Sequence, residues 1–300
     1  MPDSKRFLHP ETIRRIARLD VRARYIVEGF LSGVHRSPYF GQSVEFVQHR
    51  EYARGDDLRR IDWKVWAKQD RYYIKQYEED TNLRCTLLVD VSNSMRYGSG
   101  PLNKLEYGAT VAVSLAWLLL RQQDAVGCVA FDAKTRTTVP VRNSRSHLYS
   151  IIQALDVAAP ADKTDLFKVL REVAETSPRR GLMVIISDLL VDRPGLMKGL
   201  SLLRQRGHDV MLFHVMDDDE LDFPFNGPTR FEGLELPQHL TCNPRALREG
   251  YMQALETYLT EVRRGCAQHV VDYALLRTSQ PLDAALAAYL SNRLGMHGKN

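Results

Sequence analysis

No run of apolar residues in this 300-residue chain approaches the roughly 20 needed to cross a bilayer as a helix. The N-terminus, Met-Pro-Asp-Ser-Lys-Arg, leads into a charged segment rather than an apolar signal core, so the chain reads as soluble and cytoplasmic. Cysteine is scarce. Cys85, Cys128, Cys242 and Cys266 share no close spacing, which argues against a disulfide framework or a zinc site and for buried free thiols. Charge of one sign is lacking too: lysine and arginine number 41 against 37 aspartate and glutamate, a net +4 that speaks against a nucleic-acid partner. No internal repeat or low-complexity tract is present. A Walker-type phosphate loop and a Gly-x-Ser-x-Gly elbow are also missing, so neither ATP hydrolysis nor serine hydrolysis is expected.

What is present is an ordinary globular composition, 44% hydrophobic and 26% charged, in a chain long enough for two domains. From Pro10 to Phe30, Ile13, Ile16, Ala17, Val21, Tyr25 and Ile26 recur at three- and four-residue intervals, which predicts an amphipathic helix. Arg14, Arg15, Arg18, Arg22 and Arg24 form its basic flank, readable either as a solvated face paired locally with acids or as a docking surface for an acidic partner. Turn signals and short alternating segments follow as far as the charged break Glu78-Glu79-Asp80. Residues 1–80 thus read as a small appended α+β module.

Residues 81–300 alternate apolar strands with amphipathic helices, which predicts an α/β domain of Rossmann-like class: a mostly parallel sheet with helices on both faces. The expected strands are Thr86 to Val89, Val126 to Phe131, Leu182 to Ile186, Val210 to Val215 and Val271 to Leu276. The expected helices run from Lys104 to Gln122, His147 to Leu155, Asp165 to Thr176, Pro194 to Gln205, Pro244 to Ala267 and Leu282 to Leu294. A long irregular insertion at about 217–243 opens with Asp217-Asp-Asp-Glu220, which reads as a solvated turn. His208, His214 and His269 flank or enter strands and read as satisfied core or surface histidines rather than ligands.

The chemistry concentrates at Leu87-Leu-Val-Asp90-Val-Ser92-Asn-Ser94, an apolar strand running into a carboxylate and two hydroxyls at alternate positions. Ligands of open α/β sheets collect at the carboxyl ends of the strands. A small hard cation takes about six oxygens near 2.1 Å, and one tight loop can supply half of them. Thr164, before a helix, adds a third hydroxyl, and Asp188, ending another apolar strand, adds a second charge that can hold a metal-bound water. Neutral hydroxyls leave such a cation electron-poor, with an open position for a carboxylate of another molecule. Magnesium suits these ligands, and manganese and calcium accept similar ones. Lys163, beside Thr164, would weaken binding unless its stem carries the ammonium outward.

Asp-x-Ser-x-Ser after a strand, then a Thr, then a strand-terminal Asp, resembles the metal-ion-dependent adhesion site of von Willebrand factor type A domains, with Asp90, Ser92, Ser94, Thr164 and Asp188 filling all five positions. Arg50-Glu-Tyr-Ala-Arg-Gly-Asp-Asp-Leu-Arg-Arg-Ile-Asp-Trp-Lys64, with Ala67-Lys68 and Tyr77-Glu-Glu, resembles the signature of the bacterial family called domain of unknown function 58. Members of that family join the signature to a type A domain and are associated with MoxR-type AAA+ ATPases, so the resemblance implies such an ATPase as partner. The residues themselves leave the signature open to two readings, a turn and tryptophan anchors for a small core or a partner-binding surface.

Three functions compete. The expected one is a non-enzymatic module whose metal recruits an acidic residue of a protein partner in assembly or remodelling. A structural scaffold with an empty site is the second. The third is a phosphoryl-transfer enzyme using Asp90, which wants a second Asp two residues on, where this chain has Ser92.

Overall fold

The computed structural model describes residues 18–34, 48–51, 73–76, 83–144, 146–156, 165–177, 179–234 and 239–288. The chain divides into two units, residues 1–33 with 83–300 and residues 34–82. In the smaller unit an antiparallel pair is described, β1 (Gln48–Glu51) with β2 (Tyr73–Gln76). Most of the signature segment, including Trp63 and Trp66, lies outside the described residues.

Helix α1 (Leu19–Val34) belongs to the larger unit. Its Ala23, Ile26 and Val27 have no exposed surface and join the core on one face of the sheet, whereas the sequence placed this helix in the appended module. Periodicity identifies an apolar face but not the element that will cover it. Of the arginines on its flank, Arg18 pairs with Asp20 at 2.6 Å and Arg24 with Glu28 at 2.8 Å, the local pairing of a solvated face.

The larger unit continues through β3 (Arg84–Asp90), α2 (Lys104–Arg121), β4 (Ala125–Phe131), β5 (Thr135–Arg142), α3 (His147–Asp156), α4 (Leu166–Thr176), β6 (Leu182–Ser187), α5 (Arg193–Gln205), β7 (Asp209–Met216), α6 (Asp218–Asp222), β8 (Thr229–Glu232), β9 (His239–Cys242), α7 (Pro244–Gln268) and β10 (Asp272–Arg277). Six strands form one sheet in the order β10-β7-β6-β3-β4-β5. All neighbours are parallel except β5, which returns antiparallel along β4 as an edge strand. One face is covered by α1, α2, α3 and a helical segment at 283–288, the other by α4, α5 and α7. Strands buried on both faces read as continuous apolar runs, which is why β3, β4, β6 and β7 were legible in the sequence.

Helix α2 is buried along most of its length, as its unbroken apolar stretch requires. Asn103 caps it, accepting from Glu106 N while Glu106 reaches back to Asn103 N. Gly108 lets it lie against β6: a Cβ there would stand 3.1 Å from Ile186 Cγ2. The chain leaves β3 on one side for β4 and β5, then crosses to β6 on the other, so the direction of winding reverses between β3 and β6. The crevice beyond the carboxyl ends of those two strands is where a doubly wound sheet binds ligands. Among the described residues no helix is long and apolar enough to cross a membrane.

Candidate metal centre

Asp90 is the last residue of β3, and Ser187 the last of β6, so the topology brings both to the switch point. Asp90 is fully buried. Its Oδ2 accepts a hydrogen bond from Ser187 Oγ at 2.6 Å and its Oδ1 one from Ser92 N at 3.0 Å. Burial pushes this carboxyl up to about 7, the neighbouring Asp188 charge pushes the same way, and the Ser187 and Ser92 donors oppose them. A nearby cation would reverse that balance.

After β3 the chain bends tightly, and a single 3-10 turn, Ser94–Arg96, presents the second serine. Ser92 Oγ and Ser94 Oγ, both buried, share a hydrogen bond at 3.0 Å. Adjacent ligands of an octahedral ion with bonds near 2.1 Å are separated by about 3.0 Å, so the two hydroxyls have the spacing of neighbouring ligands of one small cation. The residues present therefore fit a metal of the magnesium type. Among the described residues no cluster of three or more His, Cys, Asp and Glu offers an alternative centre.

Asp188 follows β6 and is nearly buried, with Oδ1 accepting from Leu190 N at 3.3 Å. Its position is fixed by the next residue. Leu189 adopts φ +55, a left-handed conformation unfavourable for a branched side chain, and is held there from three sides. Its side chain is buried, its N–H donates to Ser187 Oγ at 3.0 Å, and its carbonyl accepts from Tyr258 Oη at 2.5 Å. The Asp188 carbonyl accepts from His214 Nε2 at 3.0 Å, which leaves Nδ1 to accept from Tyr273 Oη at 2.8 Å. Burial, the largest influence, pulls His214 down to about 4, so it is neutral near pH 7.

Four of the five residues singled out from sequence, Asp90, Ser92, Ser94 and Asp188, line this edge of the sheet. Thr164, and Lys163 beside it, lie outside the described residues. The cation that the structure places at the site is a different one, Lys104. Fully buried at the start of α2, it donates to Asp188 Oδ2 at 2.7 Å and to Glu220 Oε1 at 2.6 Å. Burial opposes its charge, but the two carboxylates outweigh that and hold its pKa above the ordinary lysine value.

Glu220 comes from the acidic start of the insertion, which is not the solvated turn its composition suggested. Asp217 is fully buried and caps α6, accepting from Asp219 N, while Glu220 Oε2 accepts from Asp217 N. The Asp217 carboxylate also accepts from Ser99 N, Ser99 Oγ and Thr278 Oγ1, stitching together the loops after β3, β7 and β10. Burial pushes this carboxyl up, yet those donors together hold it below the usual range. The Asp217-x-x-Glu220 spacing is a capping-box signal that could have revealed α6. Nothing in the sequence marks Lys104, which reads as an ordinary surface lysine in a first helical turn. His214 is satisfied as expected, whereas His208 is buried with neither ring nitrogen hydrogen-bonded among the described residues.

A doubly wound sheet with an Asp-x-Ser-x-Ser loop at its switch point defines a von Willebrand factor type A-like domain. The family model described as protein of unknown function DUF58 matches residues 48–260, and the chain belongs to that family. Uncharacterized proteins of Mycobacterium bovis and Mycobacterium tuberculosis are 26% identical to it over 292 residues, covering 95% of this chain and 90% of theirs. Among solved structures it is similar to the conserved hypothetical protein BatB of Bacteroides thetaiotaomicron, at 16% identity and TM-score 0.45, over 72% of this chain and 98% of that one. It is also similar to the VWA domain of SpRpn10, at 10% identity and TM-score 0.40, over 68% and 94%.

Proposed function

We propose that the chain is a non-enzymatic interaction module in which a divalent cation, magnesium in the cell, takes an acidic side chain of a partner protein. The observation that carries this reading is the pair of serine hydroxyls 3.0 Å apart at the switch point, backed by the Asp90 and Asp188 carboxylates. Asp90, Ser92 and Ser94 would hold the metal from one loop, Thr164 would add a third hydroxyl, and Asp188 would hold a metal-bound water. The metal would supply a Lewis-acidic point for a carboxylate. The chain's own part is to hold the hydroxyls at ligand spacing and to keep both carboxylates out of water. Phosphoryl transfer by Asp90 is disfavoured because its oxygens already accept from Ser187 and Ser92 N, and Ser92 stands where a metal-holding second Asp is wanted.

The family resemblance supports a MoxR-type AAA+ ATPase as the partner, in assembly or remodelling of other proteins. The test is co-purification with such an ATPase from the same source, in magnesium and in chelator, for wild type and the isosteric Asp90→Asn variant. Capture by wild type only with metal, and loss in the variant, is the expected result. Equal capture in all four conditions would move the reading to a scaffold with an empty site.

A further inference from the structure

Lys104 is in an expensive place. It sits in the first turn of α2, at the positive end of the helix dipole, and no part of it touches solvent. Both surroundings disfavour an ammonium, and it is held there by two carboxylates within 2.7 Å, one of which is a residue of the candidate metal centre. Stability alone does not call for this arrangement, since a buried ion pair is often no better than apolar residues of the same volume.

We propose that Lys104 is a built-in counter-ion that competes with the divalent cation for Asp188, so that the metal is held firmly only when an acidic ligand arrives with it. This rests on the metal-binding reading above. The charges at the site support it: Asp90, Asp188 and Glu220 against Lys104 give −2, so a divalent cation brings the set to zero and a partner's carboxylate meets no net repulsion, whereas without Lys104 the empty site would attract the cation with −3 and the loaded site would repel a carboxylate with −1. Asp217, the next buried carboxylate, keeps its charge but is hydrogen-bonded to Ser99 and Thr278 rather than to Lys104, and Asp132 pairs with Arg136, so the ammonium's own partners are Asp188 and Glu220. Metal and acidic ligand then bind cooperatively, each weakly without the other. The chain without metal is already charge-compensated at Asp188 and stays folded in chelator.

The experiment is a titration of the full chain with Mn2+ alone, read by loss of the free ion's paramagnetic resonance signal, with folding checked by circular dichroism. Lys104→Met is expected to bind Mn2+ roughly tenfold tighter or more than wild type. Arg277→Met removes another cation of this edge, one that pairs with Asp218 and Asp222 and is partly exposed, and is expected to change affinity by about twofold at most. Glu220→Gln leaves the ammonium to Asp188 alone and is expected to weaken binding, which tests the idea even if Lys104→Met does not fold. Acetate added to wild type is expected to tighten Mn2+ binding, and to do so less in Lys104→Met. Suppose wild type binds Mn2+, the Ser92→Ala, Ser94→Ala double variant does not, and Lys104→Met is no tighter: the metal site then stands and the counter-ion idea falls. No Mn2+ binding by any variant, with or without acetate, overturns both.

Discussion

A neutral imidazole holds the loop of Asp188 in place, and this has a pH signature. His214 resists protonation in the folded chain down to about pH 4, while the unfolded chain takes up the proton from near pH 6.5 downward. Its contribution to stability is therefore whole above pH 6.5 and declines between there and about pH 4, by about 3 kcal/mol at most. Asp90, raised to about 7, acts in the opposite sense over the same interval, because its folded form binds a proton that the unfolded chain does not. The quantity to measure is consequently the difference in urea-unfolding free energy between wild type and His214→Gln, which is expected to shrink as the pH falls from 7 to 4. A constant difference would contradict a buried neutral His214. At this scale the sequence was half legible. Asp90, Ser92, Ser94 and Asp188 could be placed at one edge of the sheet from sequence because each ends or follows an apolar strand run. Ser187, Lys104, Glu220 and His214 could not be singled out, since what makes each important is a partner between 26 and 116 residues away.

Among the elements, α6 is five residues long and has no stability of its own; it exists because Asp217 caps it and fastens it to two other loops. Replacing Asp217 with Ala would strand buried donors from Ser99 and Thr278 and is expected to cost roughly 2 to 4 kcal/mol, seen as a lower urea midpoint at unchanged slope. The same variant would free Glu220 from α6, so a change in Mn2+ affinity should accompany the loss of stability. The central parallel strands and the long helices were readable because burial on both faces of a sheet leaves an unbroken apolar run, and burial on one stripe of a helix leaves a period, in the sequence. Strand β5 was not, for it is an antiparallel edge with mostly polar outward positions, and its Pro140 argues against a strand. The hairpin β8–β9 escaped for a similar reason: four residues a strand give too little alternation to stand out within an irregular insertion.

For the molecule as a whole, the unexpected partition is that α1 precedes residues 34–82 in the chain yet completes the core of the domain that follows them. Burying Ile26 and Val27 alone contributes on the order of 4 kcal/mol, a large share of the about 5–15 kcal/mol that holds a domain together. A fragment beginning at residue 83 is therefore expected to melt well below the full chain, and a peptide spanning 18–34 added in trans should raise its midpoint. An unaltered midpoint with α1 removed would show that the helix is dispensable. This partition could not be foreseen from composition, because a break near residue 80 marks where an insertion ends as well as where a domain begins.

That order also sets a timetable for synthesis. Helix α1 leaves the ribosome early, but the sheet and the helices α2 and α3 that share its core are complete only after about 240 further residues, roughly 12 to 50 seconds at ordinary elongation rates. Through that interval its apolar stripe has no native surface to meet, so the nascent chain carries its own first helix as an unpaired adhesive end until the domain it belongs to has been made.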